Sequence, residues 1–152
     1  MKPIAQSIKG RHGNCLQACL ASILELKLAD VPNFAAMKDD PNSAIPIWWL
    51  EMQAWLKKRG LCFVEMALTT QTPVMPMPWH PIVLFFGLTA PGVSHCIVGQ
   101  IGHDDPGMGH TCLYPLWNPD PDAKITGVMS LGLLLPLDAS KMTVEDRPTL
   151  IS

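Results

Sequence analysis

Three residues far apart in the chain carry side chains that, brought together, could do nucleophilic chemistry: Cys15, His95 and Asn118. Cys15 lies in RHGNCLQACLASILEL, residues 11–26, where a glycine and an asparagine lead into one cysteine and a second follows four residues on. Three readings are open for it: a nucleophile mounted at the start of a helix, half of a metal site with Cys19, or a small apolar core residue. A thiol attacks as its thiolate, and a helix N-terminus or a nearby imidazolium lowers the thiol pKa. Cys15 is predicted to have the first, so a depressed pKa is expected. Gly13 lets the chain turn tightly and come close to a substrate. Cys19, one turn deeper on the same face, fits a buried small hydrophobe better.

His95 opens the strongly apolar segment GVSHCIVG. A histidine there is either structural or placed to project from a rigid element into a cleft. One hairpin later, LYPLWNPDPD ends its strand pattern at Trp117, and Asn118 begins a Pro-stiffened turn. If residues 94–102 and 110–117 pair as antiparallel neighbours, His95 and Asn118 meet at one edge of the sheet. A base and its orienting partner need that geometry, with one ring nitrogen toward sulfur and the other held by an amide or carboxylate oxygen. Asp120 competes for the orienting role.

The elements that must position these residues can be read from apolar spacing. Leu16, Leu20, Ile23 and Leu24 recur at helical intervals behind Asn14, a plausible N-cap, which predicts a helix from Cys15 to Leu26. A second helix is predicted in AIPIWWLEMQAWLKKRG, with Ile47, Leu50, Trp55 and Leu56 near one stripe, Lys57, Lys58 and Arg59 in the last turn, and Gly60 as the stop. After Gly60, LCFVEMAL, PIVLFFGLT, SHCIVGQIG, HTCLYPLW and GVMSLGLLLPL are short apolar segments bounded by turn residues, spaced like antiparallel strands. Helices first and strands afterwards predict an α+β domain with segregated layers over residues 1–138, followed by a surface tail at 139–152.

Cys, His and Asn in helix–strand–strand order resemble the papain-like cysteine peptidase superfamily, in particular the compact bacterial and phage branch similar to the bacteriocin-leader-cleaving peptidases. Within it, one group carries a GNCxQACxAS start, a VPxF segment, a strand like SxxxHxVV and a turn containing DP. Here these read GNCLQACLAS (13–22), VPNF (31–34), SHCIVG (94–99) and NPDP (118–121), and the resemblance spans nearly the whole chain up to LLLPLD. It implies a papain-like fold with N-terminal helices packed on a C-terminal antiparallel sheet. It further implies a thiol-dependent hydrolase that cleaves a peptide, isopeptide or related amide bond and requires no cofactor. Residue by residue, Cys15 resembles the nucleophile, His95 the base and Asn118 the orienting residue, although that group often has Asp where this chain has Asn118. The oxyanion donor is usually a Gln a few residues before the cysteine. Gln6, nine residues upstream, is the candidate together with the Cys15 N–H, whereas Gln17 is expected to face away.

Composition narrows the alternatives. The 152 residues are 48% hydrophobic and 16% charged, enough for a core and too apolar for global disorder. A net charge of −2 with scattered Lys and Arg supplies no basic face for nucleic acid. No apolar run is long enough for a membrane span, and MKPIAQSIKG lacks the apolar stretch of an export signal, so reduced thiols and a cytoplasmic location are expected. Zinc is a rival reading, but the five cysteines and five histidines show no CxxC or HxxH spacing, and Cys62, Cys96 and Cys112 read as core. The other rival is a papain-like module that binds a peptide or inhibits a partner without turnover. Nine Met and five Trp could serve it, above all VMPMPWHP (74–81), read as a loop near the cleft with His80 in it. His12, His103 and His110 are expected in solvated loops.

Overall fold

A computed structural model describes residues 1–10, 12–38, 41–68, 82–102 and 112–138, with Cys112 described by its backbone alone. The stretch at 74–81, His80, His103, His110 and the tail at 139–152 lie outside the described residues. Among the described residues the order is α1 (Cys15–Ile23), 3₁₀ turns at Leu28–Asp30 and Phe34–Ala36, α2 (Ile47–Lys57), then β1 (Leu61–Ala67), β2 (Ile82–Thr89), β3 (Ser94–Gly102), β4 (Cys112–Trp117) and β5 (Ile125–Pro136). The fold is α+β, with the helices preceding one five-stranded antiparallel sheet. None of the described helices is long and apolar enough to cross a membrane.

The sheet order is β1-β5-β2-β3-β4, so the last strand inserts between the first two. β5 is long enough to pair with β1 along one side and β2 along the other. β1 and β4 are therefore edges. Pro115 in β4 fits there, because it has no N–H to offer a ladder. At the other edge, the Gln53 side chain of α2 donates to the Phe63 carbonyl at 2.6 Å and accepts from the Phe63 N–H at 3.1 Å, covering β1 at that point.

Alternation along the strands divides the core. Phe63, Leu84, Cys96 and Val98 face the helices and pack with Leu16, Cys19, Leu20, Phe34, Met52 and Leu56. Val83, Phe85, Ile97, Ile101, Leu131 and Leu133 form a second apolar cluster. Gly99 is required by this packing. A Cβ there would stand 2.1 Å from the ring of the buried Phe85.

Two helix expectations are corrected. α1 stops at Ile23 and not at Leu26, because the chain turns through Glu25 in the left-handed region (φ +56°) and the Glu25 carboxylate pairs with the N-terminal ammonium at 2.8 Å. In α2, Leu50 is not on the buried stripe: it is 47% exposed, and Met52 and Leu56 make the fully buried contacts, flanked by half-buried Trp48, Trp49 and Trp55. β5 also begins two residues before the predicted Gly127.

Candidate active site

Cys15 is the first residue of α1, and α1 packs on β3, the strand that carries His95. The chain entering the helix is tied down by Asn14, which is 1% exposed. Its Oδ1 accepts from the N–H groups of Ser7 (3.0 Å) and Ile8 (2.8 Å), while its Nδ2 donates to Ser7 Oγ (3.1 Å) and Gln17 Oε1 (2.9 Å). Asn14 occupies the N-cap position, but its side chain makes no cap bond, because the loop N–H groups use its oxygen. Gly13 closes the same loop: a Cβ there would stand 2.8 Å from the carbonyl oxygens of Gly10 and Ile8. Loop packing alone thus demands a glycine beside the thiol.

His95, 4% exposed, is the second residue of β3. Asn118 follows the last residue of β4, and its Oδ1 lies 2.8 Å from His95 Nε2. The amide orientation is over-determined: Oδ1 also accepts from the Asp120 N–H at 3.0 Å, and Nδ2 donates to the Ala123 carbonyl at 3.0 Å. Because Oδ1 can only accept, Nε2 carries the ring proton and Nδ1 is left as the basic nitrogen. A bulge aids this meeting. Gly99 pairs with Pro115 and Val98 with Trp117, so Leu116 is unopposed and β4 bends before it releases Asn118.

Asp120 does not take the orienting position. Its carboxylate, 6% exposed, accepts from Lys9 Nζ at 2.9 Å and from Gln6 Nε2 at 3.1 Å. The Lys9 ammonium holds it below the usual carboxylate range against the opposing effect of burial. Lys9 also pairs with Asp122 at 3.0 Å. Sequence reasoning overlooked this cluster: Lys9 stands more than a hundred residues from its partners, and only the path of the N-terminal segment brings them together. That segment is fixed by the Gln6 N–H donating to the Pro119 carbonyl at 3.0 Å and Trp117 Nε1 donating to the Ile4 carbonyl at 3.3 Å.

Cys15 and His95 both line two clefts that meet at them. One, about 860 Å³, is walled largely by apolar side chains including Leu16, Met37, Trp48, Phe86 and Met129. The other, about 470 Å³, is more polar at its rim, with Gln6, Lys9, Asp120, Asp122 and Lys124. Gln6 thus stands in the same cleft as the thiol. One of its two amide hydrogens is engaged by Asp120, and its Oε1 is buried without a partner. Gln17 is directed elsewhere, donating to the Leu28 carbonyl at 2.9 Å and the Val31 carbonyl at 2.5 Å.

The expected depression of the Cys15 pKa is not what its surroundings produce. Burial pushes the thiol up, the Cys96 backbone N–H opposes this, and the neighbouring Cys19 adds to the rise, while the N–H groups of Leu16 and Cys15 itself pull down. The helix terminus does contribute, as read from sequence, but desolvation outweighs it. Cys19 is fully buried and its S–H donates to the Cys96 carbonyl at 3.3 Å. Cys96 is 2% exposed, whereas Cys62, read as core, is only half-buried on the edge strand β1. His12 is exposed, as expected of a loop histidine. Among the described residues no three His, Cys, Asp or Glu side chains are grouped to hold a metal ion. Comparison with family models, curated proteins and solved structures finds no match for this chain.

Proposed function

We propose that the protein is a thiol-dependent hydrolase of papain-like fold that cleaves a peptide, isopeptide or related amide bond, with Cys15 as nucleophile, His95 as base and Asn118 as the residue that orients the imidazole. The observation that carries this reading is the 2.8 Å contact between His95 Nε2 and Asn118 Oδ1, with the imidazole and the Cys15 thiol opening on the same two clefts. In this mechanism Nδ1 of His95 takes the Cys15 proton and the thiolate attacks the amide carbonyl. The oxyanion is met by the Cys15 N–H and by the second amide hydrogen of Gln6. His95, now an imidazolium, protonates the leaving amine, and water activated by the same ring hydrolyses the thioester. The clefts on either side accommodate the two halves of a peptide or protein substrate.

Burial disfavours a lone Cys15 thiolate, so the proton transfer to His95 is the step that makes the sulfur reactive. The experiment is exposure of the protein to peptide-based acylating probes, followed by mass analysis of Cys15 and assay of amine release. An adduct on Cys15 that turns over in the wild type and is greatly slowed by His95→Ala supports the reading. Tight peptide binding with neither adduct nor amine release would replace it with the non-catalytic binding module.

A further inference from the structure

The two clefts that meet at Cys15 and His95 continue further along the molecule. Trp48 and Glu65 line both the apolar cleft of about 860 Å³ and a further cleft of about 520 Å³, walled by Ile45, Pro46 and Trp49. One groove therefore leads from the polar rim near Asp120, past the thiol, to α2 and the edge strand β1. Among the described residues, Glu65 is the one acidic side chain lining its apolar part.

Strand register sets where that carboxylate stands. Cys96 pairs with Phe86, Phe86 with Ser130, and Ser130 with Ala67, so one row of residues crosses β3, β2, β5 and β1. Phe63 packs with the helices, and Glu65, two residues on, lies on the same face of β1. Opposite Glu65 is Gly132, which has no side chain to fill the space. Glu65 Oε1 accepts a hydrogen bond from Ser130 Oγ, and this draws the carboxylate toward the row. Neighbouring strands lie about 4.8 Å apart, which puts the carboxylate roughly 10–14 Å from β3. An extended peptide covers that distance in about three or four residues.

The surroundings suit one kind of side chain. Trp48, Phe86 and Met129 line the approach. A carboxylate accepts at about four positions, and Ser130 uses one of those on the exposed Glu65. Among the described residues no lysine or arginine forms an ion pair with it, including Lys38, which lines the same cleft from the segment after the Phe34–Ala36 turn. A lysine or arginine stem would lie along the apolar wall with its charged head at the carboxylate. A purely apolar side chain would strip water from the carboxylate and return no hydrogen bond.

We infer that Glu65 is a specificity determinant, and that this arm of the groove selects peptides with a lysine or arginine roughly three or four residues from the bond presented to Cys15. The inference rests on the hydrolase reading and adds the substrate class to it.

The test is the rate at which short alanine-based peptides label Cys15. One series carries a chloroacetyl group at the N-terminus and the other a chloromethyl ketone at the C-terminus, one for each direction along the groove. Lysine, norleucine or glutamate is placed at the second to fifth position from the electrophile, and comparison within a series cancels the intrinsic reactivity of the thiol. In one series the lysine probe should outpace its norleucine counterpart by about fivefold at one or two adjacent positions, the worth of one charged hydrogen bond in a part-open site. Added salt should weaken that preference. Glu65→Gln keeps an acceptor for Ser130 but removes the charge, and should bring the two rates together. Glu65→Lys should favour the glutamate probe. Lysine probes no faster than norleucine at every position, or a lysine preference that Glu65→Gln leaves intact, would overturn the inference. If the variants do not fold, the salt dependence of the wild-type preference decides instead. Labelling needs no turnover, so the two readings fail separately. Amide cleavage without lysine preference strikes this inference alone, and lysine-selective labelling without amide cleavage strikes the hydrolase alone.

Discussion

Asn118 Oδ1 lies 2.8 Å from His95 Nε2, although the β3–β4 ladder ends at the pair Val98–Trp117, three residues short of the histidine. The amide closes that gap from a turn, and both of its ends are used, Oδ1 by the ring and the Asp120 N–H, Nδ2 by the Ala123 carbonyl. Asn118→Ala is expected to keep a reactive Cys15 but lower kcat by about 10-fold to 10³-fold, the range a positioned general base contributes. Asp120→Ala is expected to cost much less, since its carboxylate bonds to Lys9 and Gln6 and not to the imidazole. Steady-state kinetics on a cleaved substrate check both, and an inverted order would exchange the two roles.

Asn118→Asp is not a neutral exchange here. A carboxylate favours the charged imidazole, but it puts an acceptor where Nδ2 now donates to Ala123. We expect a loss of about 1 kcal/mol at neutral pH, the net worth of one hydrogen bond, here part-buried. The loss should shrink below about pH 4, where the carboxyl regains a proton to donate. Urea unfolding at the two pH values measures it, and an unchanged difference would show that the turn tolerates the charge.

The rate of Cys15 alkylation against pH reads the balance between burial and the imidazole. In His95→Ala the midpoint should lie above the ordinary free-thiol value of about 8.5, because burial then acts with no counter-charge. In the wild type it should fall below that of the variant, as an apparent value that belongs to the coupled pair. Coincident curves would mean that His95 does not activate the sulfur.

Asp120 is held below the usual carboxylate range by Lys9, so its contribution to stability is present above its unfolded pKa of about 3.9 and is lost as pH falls through the lower folded value. Asp120→Asn should therefore be less stable than the wild type near neutrality, with the two converging at pH values below about 3. Urea midpoints across that range check the sign. Asp122→Ala should change little, since its ion pair with Lys9 is exposed.

Gly99→Ala should destabilise the protein by about 1–3 kcal/mol, the usual cost of forcing a methyl into a packed core. The added Cβ would meet the Phe85 ring at 2.1 Å. Thermal and urea unfolding read the loss. A variant as stable as the wild type would mean that Phe85 can move aside.

The layer order and all five strands were legible in the sequence, because apolar runs between turn residues are a local signal that needs no knowledge of partners. The pairing of 94–102 with 110–117 could be anticipated from their single short connection, and with it the approach of His95 to Asn118. Helix limits were less legible. α1 ends early because Glu25 turns the chain in the left-handed region and the Leu26 N–H closes back on the Ala21 carbonyl, and Leu50 is exposed because the stripe that counts is the one facing Phe34 and the sheet. The insertion of β5 between β1 and β2 was invisible, since strand order depends on pairing with segments distant in the chain and not on a segment's own composition. The electrostatics were decided by tertiary structure alone. A helix N-terminus predicts a lowered thiol pKa, but how far Cys15 is desolvated depends on β3 closing over it, and the Lys9–Asp120–Gln6 cluster exists only because the N-terminal segment runs along the turn after β4. Residue types declare which chemistry is possible; the dielectric and the partners around them come from segments distant in sequence.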